Sequence, residues 1–274
     1  MKIMRFIGIV FALFSAGSPS DTSAQDSGKK YKVYMVSNSH LDTQWRWDVK
    51  ATIDDYLYNT AVQNLALLEK YPHYVFNFEG AVKYEWIKEY YPHLFERIRK
   101  FVADGRWNIS GASFEANDPN MPSSESFIRN ILLAQEFYKK EFGIKSKDMF
   151  LPDCFGFSQV MPTLGHHCGL IGFSTQKLSW RTEPLVGDSK TPFPIGLWEG
   201  VDGARIMVAL EPGRYSWNEF PEGDLSANEE LAESARKSPF GIAYRYYGNK
   251  LANGAGDHGG SALPRSIQLL EEGI

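Results

Sequence analysis

From Tyr31 onward, short apolar runs with strand-like character alternate with longer stretches of helical period. The pattern predicts strands near residues 32–38, 74–78, 106–110, 148–152, 171–175 and 204–210. Helices are predicted over about 50–70, 82–103, 123–142 and 225–237. In the second of these, Trp86, Tyr90, Leu94, Ile98, Phe101 and Val102 recur at a spacing that makes one buried stripe. Strands alternating with helices imply parallel strands covered by helices. Right-handed crossovers then yield an α/β open sheet or barrel, with ligands gathered at the carboxyl ends of the strands. No internal repeat or low-complexity linker divides the chain, and no second domain is apparent.

Two strand ends carry chemistry. The apolar run beginning at Val33 leads directly into His40 and Asp42. Side chains two apart on an extended strand share a face, so an imidazole nitrogen and a carboxylate oxygen would stand together there. Such a pair is either a strand-end His bonded to a turn Asp or a two-ligand platform for a divalent cation, zinc being the commonest with mixed nitrogen and oxygen donors. The run Met149-Phe150-Leu151 likewise ends on a carboxylate, Asp153, followed by aromatic and glycine residues suited to a substrate-facing loop. Asp153 lies several residues too early to cap a helix starting near Gln159, for which Ser158 is the better cap. Glu79, Glu115 and Asp118 fall at predicted strand ends as well.

Composition narrows the class. The chain has 274 residues, is 43% hydrophobic and 14% aromatic, and carries a formal net charge of -4, enough for one large domain with a substantial core. A weakly acidic balance leaves no electrostatic footprint for nucleic acid. Residues 1–24 read as an export signal: a basic start, an apolar run from Phe6 to Ala16 too short to span a bilayer, and small residues at Thr22-Ser23-Ala24. Secretion or a periplasmic location is therefore expected, with no transmembrane anchor. The two cysteines, Cys154 and Cys168, exclude a Cys-rich zinc module and are expected to be buried thiols rather than a disulfide. His166 and His167 are expected to end or flank a helix.

Five segments then fall into a recognisable order: HLDTQWRW at 40–47, NDPNMPSSES at 117–126, LPDCFGFS at 151–158, TQKLSW at 175–180 and GDHGG at 256–260. Together they resemble the catalytic domain of family 38 glycoside hydrolases, the retaining α-mannosidases, over residues 31 to about 262. The resemblance implies a distorted seven-stranded β/α barrel over residues 25–274. It implies zinc held by His40, Asp42 and Asp153, with Asp153 also the nucleophile and Asp257 the acid/base. Trp45 and Phe155 would line the sugar pocket, while Lys177 and Tyr215 would supply polar sugar contacts. The implied partner is a mannose-containing glycan.

One family feature has no counterpart in this sequence. The family's fourth metal ligand is a His well downstream of the GDHGG segment, so the resemblance implies an N-terminal catalytic domain incomplete at its C-terminus and a fragment expected to be inactive or nearly so. His258 is the one nearby substitute. A metal-dependent polysaccharide deacetylase would need a His-x-x-x-His pair, which the six His do not form. A non-catalytic carbohydrate-binding fragment is the other alternative.

Overall fold

A computed structural model describes residues 31–179, 194–210, 229–238, 240–248 and 258–272. Among them are eight strands: β1 (Lys32–Asn38), β2 (Phe76–Glu79), β3 (Trp107–Ser110), β4 (Asp148–Phe150), β5 (Gly172–Ser174), β6 (Ile195–Glu199), β7 (Arg205–Ala209) and β8 (Ile242–Gly248). They form two four-stranded sheets, in the orders β3-β2-β1-β8 and β4-β5-β7-β6. Every pairing is parallel except β6 with β7, an antiparallel hairpin. The fold is thus mixed α/β with parallel sheets, and the expected single seven-stranded barrel is here two sheets, neither closed on itself.

The sheets meet nonetheless. The Ala112 amide donates to Asp148 O at 2.8 Å, carrying the β3 edge onto β4. Val36 from β1, Phe150 from β4 and Tyr244 from β8 pack together, and the Tyr244 and Ser174 hydroxyls lie 3.2 Å apart. Side chains of both sheets therefore face one interior.

Among the described residues, eight α-helices accompany the strands. Helix α1 (Val49–Ala51) runs through a π-helical segment (Thr52–Leu57) into α2 (Tyr58–Lys70), and α3 (Ala81–Tyr90) is followed by α4 (Pro92–Ala103). The single helix expected over 82–103 is two, because a proline cannot continue a helix interior but suits a first turn, where its missing N–H costs nothing. The break rotates the stripe. Leu94, Ile98 and Val102 are buried, whereas Tyr90 is exposed. Helix α5 (Ser124–Phe142) starts on Ser123, whose side chain accepts from the Ser126 amide, and stops at Gly143 in the left-handed conformation. Helices α6 (Met161–His167), α7 (Glu229–Lys237) and α8 (Pro264–Glu272) complete the set, α6 having His166 and His167 in its last turn.

The main core lies between sheet β3-β2-β1-β8 and helices α2 to α5, with Phe76, Phe78, Trp107, Tyr84, Leu57, Leu65 and Ile98 at its centre. A second core, built on Met149, Leu151, Met161, Phe173, Ile206 and Val208, fills the β4-β5-β7 side. These two cores fix the strand ends on which the polar groups described next are mounted. No helix among the described residues is long and apolar enough to cross a membrane.

Candidate metal centre and active site

The polar groups come from the carboxyl ends of four parallel strands. His40 and Asp42 follow β1, Glu79 is the last residue of β2, Asp153 follows β4, and Lys177 follows β5. This is where parallel α/β folds place ligands, because side chains beyond the last ladder bond are released from packing between strands and helices. His40 and Asp42 do share a side, but not by strand alternation. β1 ends at Asn38, and both residues sit in the loop beyond it, anchored where His40 O accepts from the Gly259 amide at 2.7 Å.

His40 is the centre of the group. Its Nε2 lies 3.3 Å from Asp42 Oδ1 and 3.4 Å from Asp153 Oδ2, while its Nδ1 faces Glu79 Oε1 at 3.6 Å. One ligand atom each from His40, Asp42 and Asp153 lies within 4.8 Å of the others. Two ligands bound tetrahedrally at 2.0–2.2 Å from one zinc ion stand about 3.4 Å apart, so both spacings from Nε2 match the edge of such a site. The donor set, one imidazole and two carboxylates, also suits a divalent cation of intermediate softness.

Two buried ammonium groups balance these acids. Lys177 pairs with Asp153 Oδ1, leaving Oδ2 toward His40, and lies 5.1 Å from the centre of the Phe155 ring. Lys83, fully buried, donates to Glu79 Oε2 at 2.5 Å. Burial lowers the His40 ring's proton affinity, but Asp153, Asp42 and Glu79 outweigh it and raise its pKa well above the ordinary imidazole value. Burial pushes the carboxyls of Asp42 and Asp153 up, and His40, joined at Asp153 by Lys177, brings both below their ordinary value. Glu79 is lowered against its own burial by Lys83 and His40. Glu115, by contrast, is pushed up by burial. The centre is therefore a cluster of ionised carboxylates around one imidazole.

Loops hold Asp153 in place. Asn120 Nδ2 donates to the carbonyls of Phe155 and Gly156 at 2.9 and 3.1 Å, and Cys154 Sγ donates to Asn117 O at 3.1 Å. Asp118 Oδ1 accepts from the amides of Asn120 and Met121, closing the turn that presents Asn120. Asp118 thus supports a loop rather than joining the centre. The helix after Asp153 begins two residues later than expected and its N-cap is Val160, with no side-chain cap, so Ser158 is not the cap the sequence suggested; it only closes the preceding turn, its carbonyl accepting from the Met161 amide at 3.0 Å. Cys154 and Cys168 are free thiols, as expected, but half-buried rather than buried.

An aromatic wall stands beside the centre. Trp45 is 54% exposed, and the His258 ring packs between Trp45 at 4.9 Å and Trp47 at 4.7 Å, with Tyr56 stacked on Trp47 at 4.4 Å. His258 therefore belongs to this wall and not to the His40 group. Phe155 is exposed as well. Asp257 and Tyr215 lie outside the described residues. Lys83 was not anticipated from the sequence. The available signal was a Lys at helical spacing from Glu79, placed among the buried positions Ala81, Tyr84 and Ile87.

Comparison with known proteins identifies a family and a shared fold. Residues 30–269 match the model of the glycosyl hydrolases family 38 N-terminal domain. The chain is 37% identical over 190 residues to alpha-mannosidase G of Dictyostelium discoideum, covering 69% of this chain and 17% of that protein. It is 34% identical over 245 residues to alpha-mannosidase 2C1 of Mus musculus, covering 88% of this chain and 22% of the relative. The chain thus spans about a fifth of the length of these relatives. Among solved structures, an alpha-mannosidase from Enterococcus faecalis V583 superposes with a TM-score of 0.64 at 24% identity, over 80% of this chain and 25% of that one, which shows a shared fold.

Proposed function

We propose, from the premise that the chain belongs to glycosyl hydrolase family 38, that it forms the nucleophile-bearing part of a retaining, zinc-dependent α-mannosidase acting on terminal α-mannosides of glycans. The observation that carries the reading is the convergence of His40, Asp42 and Asp153 on one point, with Lys177 fixed to the far oxygen of Asp153. When bound there, zinc would supply a Lewis acid and a template for two adjacent sugar hydroxyls. The protein's own groups do the rest. Asp153 is kept ionised by His40 and Lys177, so a carboxylate oxygen is available to attack the anomeric carbon and form a glycosyl ester. Retention requires a second carboxyl about 5 Å away to protonate the leaving oxygen and later activate water, and Asp257, one residue before His258, is assigned that role. Trp45 and Phe155 offer exposed ring faces to the sugar, and Tyr215 is assigned a polar contact.

The same reading includes export directed by residues 1–24. Turnover of an aryl α-mannoside by a full-length version carrying this chain, measured with added zinc and after chelation, tests the activity, the 274-residue chain by itself being expected to be inactive or nearly so. The first sugar product should be the α-anomer by NMR, and Asp153→Asn should abolish turnover. Wild-type turnover in Asp153→Asn would refute the nucleophile assignment, and a β-anomer would refute retention.

A further inference from the structure

We propose that Glu79 and Lys83 form a buried positioning pair that presents His40 Nε2 to the cation. The inference rests on the metal reading above and extends it to residues outside the ligand set. An imidazole has two nitrogens, and only one can face an ion. Here Asp42 and Asp153 stand at Nε2, 3.3 and 3.4 Å away, and Glu79 stands at Nδ1, 3.6 Å away on the other side of the ring. At 3.6 Å the Glu79 carboxylate stands just outside hydrogen-bond length of Nδ1, so a closer approach of a few tenths of an ångström lets it accept that nitrogen's proton, leaving the Nε2 lone pair for the ion and fixing the plane of the ring.

Lys83 in turn holds the carboxylate. It donates to Glu79 Oε2 from a fully buried position on α3, between Ala81 and Tyr84, which are themselves inaccessible to water. Gly80 makes the meeting possible. Its φ of 89° turns the chain from β2 directly into α3, and a Cβ there would lie 3.3 Å from Lys83 Nζ. A buried ion pair is poor support for stability, since apolar residues of like volume commonly replace it without loss. Its presence beneath the ring, where it adds a third carboxylate close to two others, is accounted for by orienting His40.

The test is zinc titration of the purified 274-residue chain, after chelator treatment, alongside Glu79→Gln and the double variant Glu79→Leu/Lys83→Met. Zinc affinity should fall about tenfold in Glu79→Gln and up to about a hundredfold in the double variant, the range seen when a ligand histidine loses its outer partner. The absorption bands of the cobalt-substituted chain should shift in both. The double variant carries no unpaired ion and should melt close to the wild type, which separates loss of binding from loss of fold. If it does not fold, Glu79→Gln, which exchanges one oxygen for an NH2 group, decides the matter alone. Wild-type zinc affinity with unchanged cobalt bands in the folded variants overturns the inference. Failure of the wild-type chain to bind zinc overturns the metal reading itself, and this inference with it.

Discussion

Asn64→Ala is expected to destabilise the protein by about 2–4 kcal/mol, through the segment that carries His258. Asn64 is fully buried, and its Nδ2 donates to Thr60 O at 2.8 Å and to Gly260 O at 2.9 Å, while its Oδ1 accepts from the Tyr74 hydroxyl at 2.8 Å. The Tyr74 oxygen also meets Ser37 Oγ at 2.7 Å, so the network ties β1, α2 and the 258–260 segment into one unit. In the Ala variant Thr60 O keeps its place in the helix and Tyr74 keeps Ser37, but Gly260 O loses its side-chain donor. A stranded buried carbonyl costs about 1–3 kcal/mol, and the lost Tyr74 bond adds about 1 kcal/mol. For a domain of this size the sum lowers the melting temperature by roughly 5–15 °C. Urea unfolding followed by tryptophan fluorescence measures it, with Tyr74→Phe, expected to cost about 1–2 kcal/mol, as comparator. Because the two residues share a bond, the double variant should lose less than the sum of the single losses. A loss under about 0.5 kcal/mol in Asn64→Ala, or strict additivity with Tyr74→Phe, would refute the argument that this network latches the segment.

Gly259→Ala should be as damaging as Asn64→Ala or worse, since φ is 73° and the added Cβ would lie 2.5 Å from Thr60 Oγ1; a melting temperature within a degree of the wild type would show that the segment simply shifts. Asp148→Asn should stabilise at neutral pH. Burial pushes the Asp148 carboxyl above its ordinary value despite hydrogen bonds from Ser146 and the Gly111 amide, so the native state binds the proton more tightly than the unfolded chain and stability falls as pH rises through that window. The variant's advantage should vanish once the pH drops below the ordinary carboxylate value, and a lower melting point than wild type at pH 7 contradicts it. In a full-length version, Lys177→Met removes the buried partner of Asp153 and should cut aryl mannoside turnover about a hundredfold or more, whereas an unchanged rate would make Lys177 a packing residue.

What the sequence showed of this molecule follows the reach of local rules. His40 and Asp153 are legible because each is the first titratable side chain after an apolar run, with Asp42 two residues beyond His40, and strands of that kind end where packing ends. β8 was not predicted. The run at 242–248 has ordinary strand composition, but its place is set by pairing with β1, some 200 residues earlier, which no local period records. β6 was missed for a weaker reason, since Asp202-Gly203 between it and β7 is a hairpin signal, and Gly203 does take a φ of 82° there. The break at Pro92 is equally visible, but the apolar stripe continues across it and by itself favours one helix.

Lys83 differs from all of these, because the local rules point away from it. A lysine at a core-facing helical position reads as an interruption of an apolar face, and burying it costs desolvation that packing does not return. Sequences that fold well agree with themselves at every level, and the positions that disagree are where function has been placed against stability. In this chain the disagreement sits directly behind His40. The polar network of Ser37, Tyr74 and Asn64 obeys the opposite logic, since each hydroxyl and amide there is satisfied and the network can be assigned to holding the 258–260 segment. Conservative apolar replacement should therefore be tolerated by the fold at Glu79 and Lys83 and resisted at Asn64, and the two experiments together separate a site that is held in place from a structure that holds it.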